Sequence, residues 1–205
     1  MTTIQLQARI ECPECALPIP LNGPWLSVHC DNCQNDFELD ESYWIGVIKE
    51  LTSDLHEMKA KPEKMVIFDE YGTNILFCKT KPRCPRCKTI YPEQDGTQEK
   101  TFQCGSCGKS ATVMPAPEWI GSAIPKVTVL YNATKGQTAA DSPYMSKPIV
   151  FSCLQCGAAL KVDGTSRIVS CSYCDSDNYL PDALWLRLHP ASIMTKWYLG
   201  LGSKK

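Results

Sequence analysis

The chain has 205 residues and a formal net charge of −1, so its overall charge gives no case for a nucleic-acid partner. Thirteen cysteines far exceed ordinary usage, and no run approaches the ~20 apolar residues that a membrane-spanning helix requires. The N-terminal stretch MTTIQLQARIEC has no basic segment followed by an apolar run, so we predict no secretory signal. We therefore expect a cytoplasmic protein whose paired cysteines stay reduced and bind metal.

Twelve of the thirteen cysteines fall in six CxxC pairs, and taking the pairs in order gives three sets of four. The pairs within a set are separated by 14, 16 and 14 residues, close to the ~15–20 residues typical of four-cysteine zinc sites. Four thiolates around one Zn²⁺ form a closed tetrahedral site. We therefore predict three structural zinc ions. The predicted ligands are Cys12, Cys15, Cys30 and Cys33; Cys84, Cys87, Cys104 and Cys107; and Cys153, Cys156, Cys171 and Cys174.

Short segments beside the cysteines have the alternating apolar pattern of β-strands, with bend-forming residues at their ends. Those of the first set are ARIE, LPIPL, WLSVH and FEL, and the third set has IVFS, AALKV, RIVS and NYL in the same places. Each hairpin is too small to bury a core, since domains below ~40 residues usually need a metal or a disulfide. Metal binding is therefore expected to supply the folding free energy of each unit.

A tryptophan follows each set of four cysteines, eleven or twelve residues after the last cysteine. These tryptophans are Trp44, Trp119 and Trp185. Asp40 is suited to cap a helix, and Pro115 and Pro181 suit a first helical turn, so we predict a short helix after each set. Each tryptophan is expected to cover its small sheet; exposure as a partner anchor or a base-stacking platform is the alternative.

The motifs CPECA, CGSCG and CLQCG resemble the rubredoxin-like knuckles of the zinc ribbon superfamily. The resemblance covers three segments and implies a small metal-stabilised β-rich (α+β) fold of three tandem four-cysteine zinc ribbons. In each ribbon, a pair of β-hairpins would precede the Trp-bearing helix. The common glycine after the final cysteine is present at Gly108 but is replaced by Gln34 and Asp175. Iron in such knuckles, serving a one-electron carrier, is the alternative metal.

The segments between the ribbons have patterns of their own. WIGVIKELTSDLHEMKA predicts an amphipathic helix of about four turns that ends before Pro62. KMVIF and ILFCK predict two strands around a turn, with Cys78 as a buried small hydrophobe. The strand KVTVLYN leads into ATKGQTAADSPYMSKP, whose composition predicts a linker.

These boundaries divide the chain into four segments. They are zinc ribbon 1 with its amphipathic helix (1–61), a β-hairpin with zinc ribbon 2 (62–125), a strand and linker (126–147), and zinc ribbon 3 with an aromatic C-terminal tail (148–205). Trp197 and Tyr198 in the tail are predicted either to form an extra strand on the third ribbon or to stay exposed as a partner anchor.

No motif indicates catalysis: GxSxG, Walker A and the zinc-deaminase pattern are absent, and the three histidines complete no His-based metal motif. We therefore expect a non-enzyme with no small-molecule substrate, acting as a protein-binding adaptor, scaffold or accessory subunit of a larger assembly. The sequence does not identify the protein partner.

The alternative is a transcription- or RNA-associated protein that binds nucleic acid through the middle ribbon. Residues 79–109 hold seven basic and three acidic residues, interleaved with aromatics. The candidate nucleic-acid contacts are Lys81, Arg83, Arg86 and Lys88. The acidic first ribbon would oppose this function, because its carboxylates repel phosphate.

Overall fold

A computed structural model describes residues 1–53, 55–94, 96–134, 151–162, 164, 166–188 and 193–202, with the backbone alone at 183, 186 and 187. Most of the predicted linker, ATKGQTAADSPYMSKP, lies outside the described residues. The chain forms two compact units. The larger comprises Met1–Val28, Asp36–Gly136 and Ile193–Lys205, and the smaller comprises His29–Asn35 and Gln137–Ser192.

The described residues form a β-rich fold with three helices. The strands are β1 (Thr2–Glu11), β2 (Pro18–Leu21), β3 (Ser27–His29), β4 (Asp36–Glu38), β5 (Glu63–Val66), β6 (Asn74–Lys79), β7 (Lys100–Gln103), β8 (Ser110–Pro115), β9 (Val127–Tyr131), β10 (Phe151–Ser152), β11 (Ala159–Leu160), β12 (Ile168–Ser170), β13 (Asp177–Tyr179) and β14 (Trp197–Leu201). The helices are α1 (Glu41–Ser53), α2 (Glu118–Ala123) and α3 (Asp182–Leu188).

An eight-stranded antiparallel sheet forms the centre of the larger unit, in the order β5-β6-β1-β14-β9-β8-β7, with β2 paired to β1. Strand β1 organises it, because residues 2–6 pair with β14 and residues 8–11 pair with β2 along the same edge. Its other edge pairs with β6. The alternation of apolar and polar residues from Ile4 to Ile10 suits so long a strand.

This sheet differs from the four predicted segments, because strands from the first three segments and from the C-terminal tail share it. Strand β14 lies between β1 and β9, so the extra strand predicted for the tail belongs to the central sheet and not to the third ribbon. Trp197 is fully buried and Tyr198 is 2% exposed. The interpretation of these two residues as an exposed partner anchor was therefore wrong, because both side chains are buried.

One face of the sheet packs against α1. Leu6 and Trp197 are register partners and so share this face. The ring of Trp44, which is fully buried in α1, meets the ring of Trp197 edge to face with centroids 6.2 Å apart. Both indole N–H groups are satisfied: Trp44 donates to the carbonyl of Trp25 at 3.0 Å and Trp197 donates to the carbonyl of Leu21 at 2.9 Å.

The opposite face carries a second cluster of buried side chains. Its members are Val113, Val129, Tyr131 and Tyr198. Half-buried Phe102 packs against this cluster and also against the cluster that contains Cys84 and Cys104. The second set of cysteines is thereby attached to the face of the sheet opposite α1.

Helix α1 begins as predicted and ends early. The carboxylate of Asp40 accepts the N–H of Tyr43 at 2.7 Å and the hydroxyl of Ser42 at 2.6 Å, which caps the helix. The helix ends at Ser53 and not just before Pro62. The hydroxyls of Thr52 and Ser53 donate to carbonyls of the last turn, a local bonding mode that competes with helix propagation.

Helices α2 and α3, in contrast, start after the prolines that were predicted to lie in their first turns. Helix α2 begins at Glu118 after Pro117, whereas Pro115 ends strand β8. Helix α3 begins at Asp182, and the carbonyl of Pro181 accepts the N–H groups of its first turn. Trp119 in α2 and Trp185 in α3 are half-buried, in contrast to the fully buried Trp44 of α1.

The predictions for three strands and one cysteine are confirmed. Strands β5 and β6 lie at KMVIF and ILFCK, and β9 lies at KVTVLYN. Cys78 is 3% exposed, and burial raises the pKa of its thiol.

In the smaller unit, two-stranded sheets β10–β11 and β12–β13 flank the third set of cysteines. Their core holds Cys153, Leu160 and Cys171, with half-buried Phe151 and Val169 against it. The guanidinium of Arg167 forms an ion pair with Asp182 and lies over the rings of Tyr179 and Trp185. These contacts attach the start of α3 to the β12–β13 hairpin.

Candidate metal centres

The twelve predicted ligands meet in three groups of four. Within each group, the cysteine sulfurs all lie within 4.8 Å of one another. The first group is Cys12, Cys15, Cys30 and Cys33; the second is Cys84, Cys87, Cys104 and Cys107; the third is Cys153, Cys156, Cys171 and Cys174. All thirteen cysteines belong to the described residues, and they carry thiols. Each group could therefore hold one metal ion.

A single backbone turn positions every CxxC pair. In all six pairs, the carbonyl of the first cysteine accepts the N–H of the residue four positions later, at 2.8–3.0 Å. The N–H of the same cysteine donates to the carbonyl five positions later, at 2.8–2.9 Å. Backbone bonds close the turn in every pair, so the two intervening residues can differ from pair to pair.

The residue after the second cysteine has a left-handed backbone in every pair. The φ angles are 58° at Ala16, 60° at Gln34, 64° at Lys88, 70° at Gly108, 76° at Gly157 and 55° at Asp175. Glycine adopts this conformation without strain, whereas other residues pay ~1–2 kcal/mol. Replacement of the common glycine by Gln34 and Asp175 therefore leaves the turn intact and adds strain.

The sulfur separations fit a four-thiolate metal site. In the second group, Cys84 and Cys107 sulfurs are 3.5 Å apart, as are those of Cys87 and Cys104. The corresponding pairs of the third group are 3.6 Å apart. A metal–sulfur bond of about 2.3 Å in a tetrahedron gives sulfur separations of about 3.8 Å, whereas a disulfide requires about 2.05 Å. The side chains are therefore arranged for an ion and not for disulfide bonds.

Burial within each pair is unequal. The first cysteine of every pair is 0–3% exposed, whereas the second is half-buried or exposed. One half of each group is thus part of a protein core, and the other half faces solvent. An ion held there would link the core to the surface turn, which is the arrangement expected of a structural site.

In the second group, the surroundings lower the pKa of two thiols, Cys84 and Cys87. Burial raises the pKa of Cys84, but the N–H groups of Cys87 and Arg86 and the neighbouring thiol of Cys107 outweigh it and lower that pKa to about 6. At Cys107 the N–H of Lys109 lowers the pKa, while burial and the neighbouring sulfurs raise it to about 11. A bound cation would stabilise all four thiolates and release the retained protons.

The third group shows the same division. The hydroxyl of Ser176 lies 3.2 Å from the sulfur of Cys153, and with the N–H of Cys156 it lowers the pKa of Cys153 to about 5. The N–H of Ala158 lowers the pKa of Cys156, but the neighbouring sulfurs and burial raise it to about 12.

Asn178 connects the two halves of the third group and was missed by sequence reasoning. It is 2% exposed, and its Oδ1 accepts the N–H of Leu154 at 2.8 Å. Its Nδ2 donates to the carbonyl of Ser176 at 2.9 Å and lies 3.6 Å from the sulfur of Cys153. Asn178 lies four positions after the last cysteine of its group. The second group has the buried apolar residue Ala111 at the same position, so the polar residue in the third group was a signal that could have been noticed.

The candidate nucleic-acid contacts Lys81, Arg83, Arg86 and Lys88 are all exposed. Two of them, Arg83 and Lys88, line a cavity of about 570 Å³ beside the second group, whereas Lys81 and Arg86 lie outside its lining. Lys109, which belongs to the basic segment 79–109, also lines it, as does Lys196, which the sequence had not linked to a site.

No family model matches the chain, and no curated protein or solved structure shows significant similarity to it. Among the helices that the structure describes, none combines the length and the apolar character needed to cross a membrane.

Proposed function

We propose that this chain is a non-catalytic zinc protein of three tandem zinc ribbons, which acts as a protein-binding adaptor or accessory subunit of a larger assembly. Each ribbon would combine the hairpins at its two CxxC turns with the Trp-bearing helix that follows. Zinc suits closed groups of four thiolates, and four such ligands leave no position for a metal-bound water. A binding role is therefore favoured over hydrolytic chemistry.

The observation that carries the adaptor proposal is the apolar surface of the third group. Leu154 and Tyr173, which lie between the cysteines of its two pairs, are 80% and 78% exposed. Ile168 and Tyr179 on the flanking hairpin are 54% and 55% exposed. Exposed apolar and aromatic side chains on a rigid, metal-fixed support are typical of protein-binding surfaces.

The adaptor proposal is tested by comparing full-length variants in quantitative affinity capture, followed by direct binding of each captured protein after purification. The double variant Leu154→Ser/Tyr173→Ser is expected to lose the specific partner. The matched control is Ile90→Ser, because Ile90 is also exposed (44%) but lies beside the second group. Equal partner binding by all three proteins would show that this surface is not the docking site.

Zinc is distinguished from iron by the metal content and colour of the purified protein. Elemental analysis is expected to give three zinc ions per chain and a colourless protein. Stoichiometric iron, with visible thiolate-to-iron absorption, would instead favour the function of a one-electron carrier.

Nucleic-acid binding through the middle ribbon is the second candidate. It is supported by the exposed cations Lys81, Arg83, Arg86 and Lys88, which follow one another along the surface loop of the second group. Binding to generic RNA or single-stranded DNA should be strongest at low salt, because counterion release drives it. Charge reversal at Arg83, Arg86 and Lys88 should abolish that binding, and failure to bind at low salt would reject this candidate.

A further inference from the structure

The cavity beside the second group, here called the basic cavity, lies within the larger unit. It is bounded by β1, β8, the first CxxC turn of the second group and the segment leading into β14. Its volume of about 570 Å³ falls in the range of ~300–1,000 Å³ that is usual for small-molecule sites. The lining residues that matter here are Gln5, Arg83, Lys88, Lys109, Thr195 and Lys196.

The basic cavity carries an excess of positive charge, although Cys84 of the second group also lines it. Four of its lining residues are cationic and none is acidic. In the part of the chain that the structure describes, none of these four cations forms an ion pair with a carboxylate. A concave surface with charge of one sign concentrates counter-ions of the other sign. The electrostatics therefore favour an anionic ligand with more than one negative charge.

Neutralisation of a negatively charged metal centre would be another reason to place cations here. The other two groups argue against a general need for it. The CxxC turns of the first group carry Glu14 and Asp31, and those of the third carry no charged residue between their cysteines. In addition, Lys196 belongs to no CxxC turn. The positive charge is thus a feature of the cavity and not of the four-cysteine site.

The wall of the basic cavity also includes a buried hydroxyl, that of Thr195, which lacks a partner among the described residues. Gln5 is 8% exposed, and its Oε1 accepts the hydroxyl of Tyr198 at 3.4 Å. The amide nitrogen of Gln5 donates to none of the described residues. Buried polar groups are almost always hydrogen-bonded, so the Thr195 hydroxyl calls for a partner, and the free N–H of Gln5 offers a second donor to a ligand.

We propose that the basic cavity binds the phosphate groups of a nucleotide. The four cations match the charge of a phosphate chain, and Gln5 and Thr195 can donate to phosphoryl oxygens. Ile193 and Met194, which also line the cavity and are 76% and 37% exposed, offer an apolar surface for the base. The proposal goes beyond protein binding and does not depend on it. A free nucleotide and a nucleotide within a single strand would present the same chemistry.

The proposal is tested by calorimetric titration of the full-length, zinc-loaded protein with ATP, pyrophosphate and adenosine, and by fluorescence anisotropy with a short single-stranded RNA. The cavity variant is Lys109→Gln/Lys196→Gln. The matched control is Lys61→Gln/Lys64→Gln, which makes the same change in net charge at exposed positions outside the cavity. Far-UV circular dichroism and zinc content check that each variant is folded.

ATP is expected to bind more tightly than pyrophosphate, and adenosine is expected not to bind. The cavity variant should weaken ATP binding by about tenfold or more, whereas the control should leave it unchanged. If the protein binds ATP but not the RNA, the site is assigned to free nucleotides. If it binds both, and the cavity variant weakens both equally, the site is assigned to a nucleotide within a strand. If the double variant does not fold, Thr195→Val, which removes one buried hydroxyl at nearly constant volume, should weaken binding severalfold.

Three results would overturn the proposal. The first is no binding of ATP or RNA to the zinc-loaded protein at low salt. The second is equal weakening by the control variant, since general surface charge would then explain binding. The third is equal affinity for pyrophosphate and ATP, since the base would then make no contact. None of these results bears on capture of a protein partner by the Leu154 and Tyr173 surface, so the two proposals fail separately.

Discussion

The indole rings of Trp44 and Trp197 meet edge to face with their centroids 6.2 Å apart and an interplanar angle of 76°. This contact joins the helix that follows the first group of cysteines to a strand near the C-terminus. Both side chains are fully buried. Residues far apart in the sequence thus form one core, and the folding of the larger unit depends on its last strand.

Replacement of Trp197 by Ala is therefore expected to destabilise the larger unit by ~3–5 kcal/mol, because it leaves a large cavity. It also leaves the carbonyl of Leu21 without the indole donor. Trp197→Phe should cost less, since most of the ring is kept. The measurement is urea denaturation of the zinc-loaded protein. Trp119→Ala is the control, because Trp119 is half-buried; a loss equal to that of Trp197→Ala would contradict the assignment of Trp197 to the core.

The second group of cysteines is expected to be needed for the stability of the sheet, because Phe102 packs against both the cysteine cluster and the sheet. Cys84→Ser should reduce the metal content from three ions per chain to two and lower the unfolding temperature. Elemental analysis and a thermal melt measure both effects. Cys78→Ser provides the control: this buried cysteine belongs to none of the three groups, so the metal content should stay at three. An unchanged melt after chelation of all metal would refute a structural role.

A pair of glycines in one CxxC turn allows the left-handed backbone to be tested by itself. An added Cβ would meet no atom within 4 Å at either Gly105 or Gly108, but only Gly108 has a positive φ, of 70°. Gly108→Ala should therefore destabilise the protein by ~1 kcal/mol through backbone strain alone. Gly105→Ala should be neutral or slightly stabilising, because it reduces the entropy of the unfolded chain. Chemical denaturation of the two variants under identical conditions decides the matter, and equal effects would contradict the strain argument.

The three cysteine groups could be predicted from the sequence because the geometry of each pair is local. A CxxC turn is closed by backbone bonds over six residues, so the spacing of cysteines is enough to identify each pair. The spacing between pairs then gives the groups. The same locality allowed Cys78 and the strands β5, β6 and β9 to be predicted from their apolar patterns.

The central sheet could not be predicted in the same way. The pairing of Thr2 with Leu201 joins the two ends of the chain, and no pattern within either strand specifies that partner. The polar alternation of β1 was visible, but it normally marks a solvent face. Here Gln5 is buried beside its register partner Tyr198, and no pattern within β1 predicts that neighbour or the basic cavity that both residues line.

The cap of α1 leads to a prediction about pH. The hydrogen bond from the Ser42 hydroxyl and that from the Tyr43 N–H lower the pKa of Asp40 below its ordinary value of 3.8. A carboxyl whose folded pKa is depressed stabilises the protein above its unfolded pKa and loses that effect as pH falls through the folded pKa. Asp40→Ala should therefore lower stability by the same amount at about pH 5 and at about pH 8, since the carboxylate is ionised at both. Asp40→Asn keeps a hydrogen-bond acceptor, so it should destabilise the protein less. The free energy of unfolding of each variant is measured at both pH values, and a destabilisation by Asp40→Ala that differs between them would contradict the cap.

Asn178 is expected to be the most sensitive position of the third group apart from its cysteines. Asn178→Ala reproduces the residue that the second group has at the same position, yet it removes the acceptor for the N–H of Leu154 and the donor beside Cys153. An unsatisfied buried group costs ~1–3 kcal/mol, so the variant should lower the stability of the smaller unit by that amount. It should also release its metal ion faster. Competition with a chelator measures the rate of metal loss, and Lys161→Ala, at an exposed position of the same unit, is the control. If Asn178→Ala retained metal as well as the control does, the turns of the third group would be held by their backbone bonds and the ion alone.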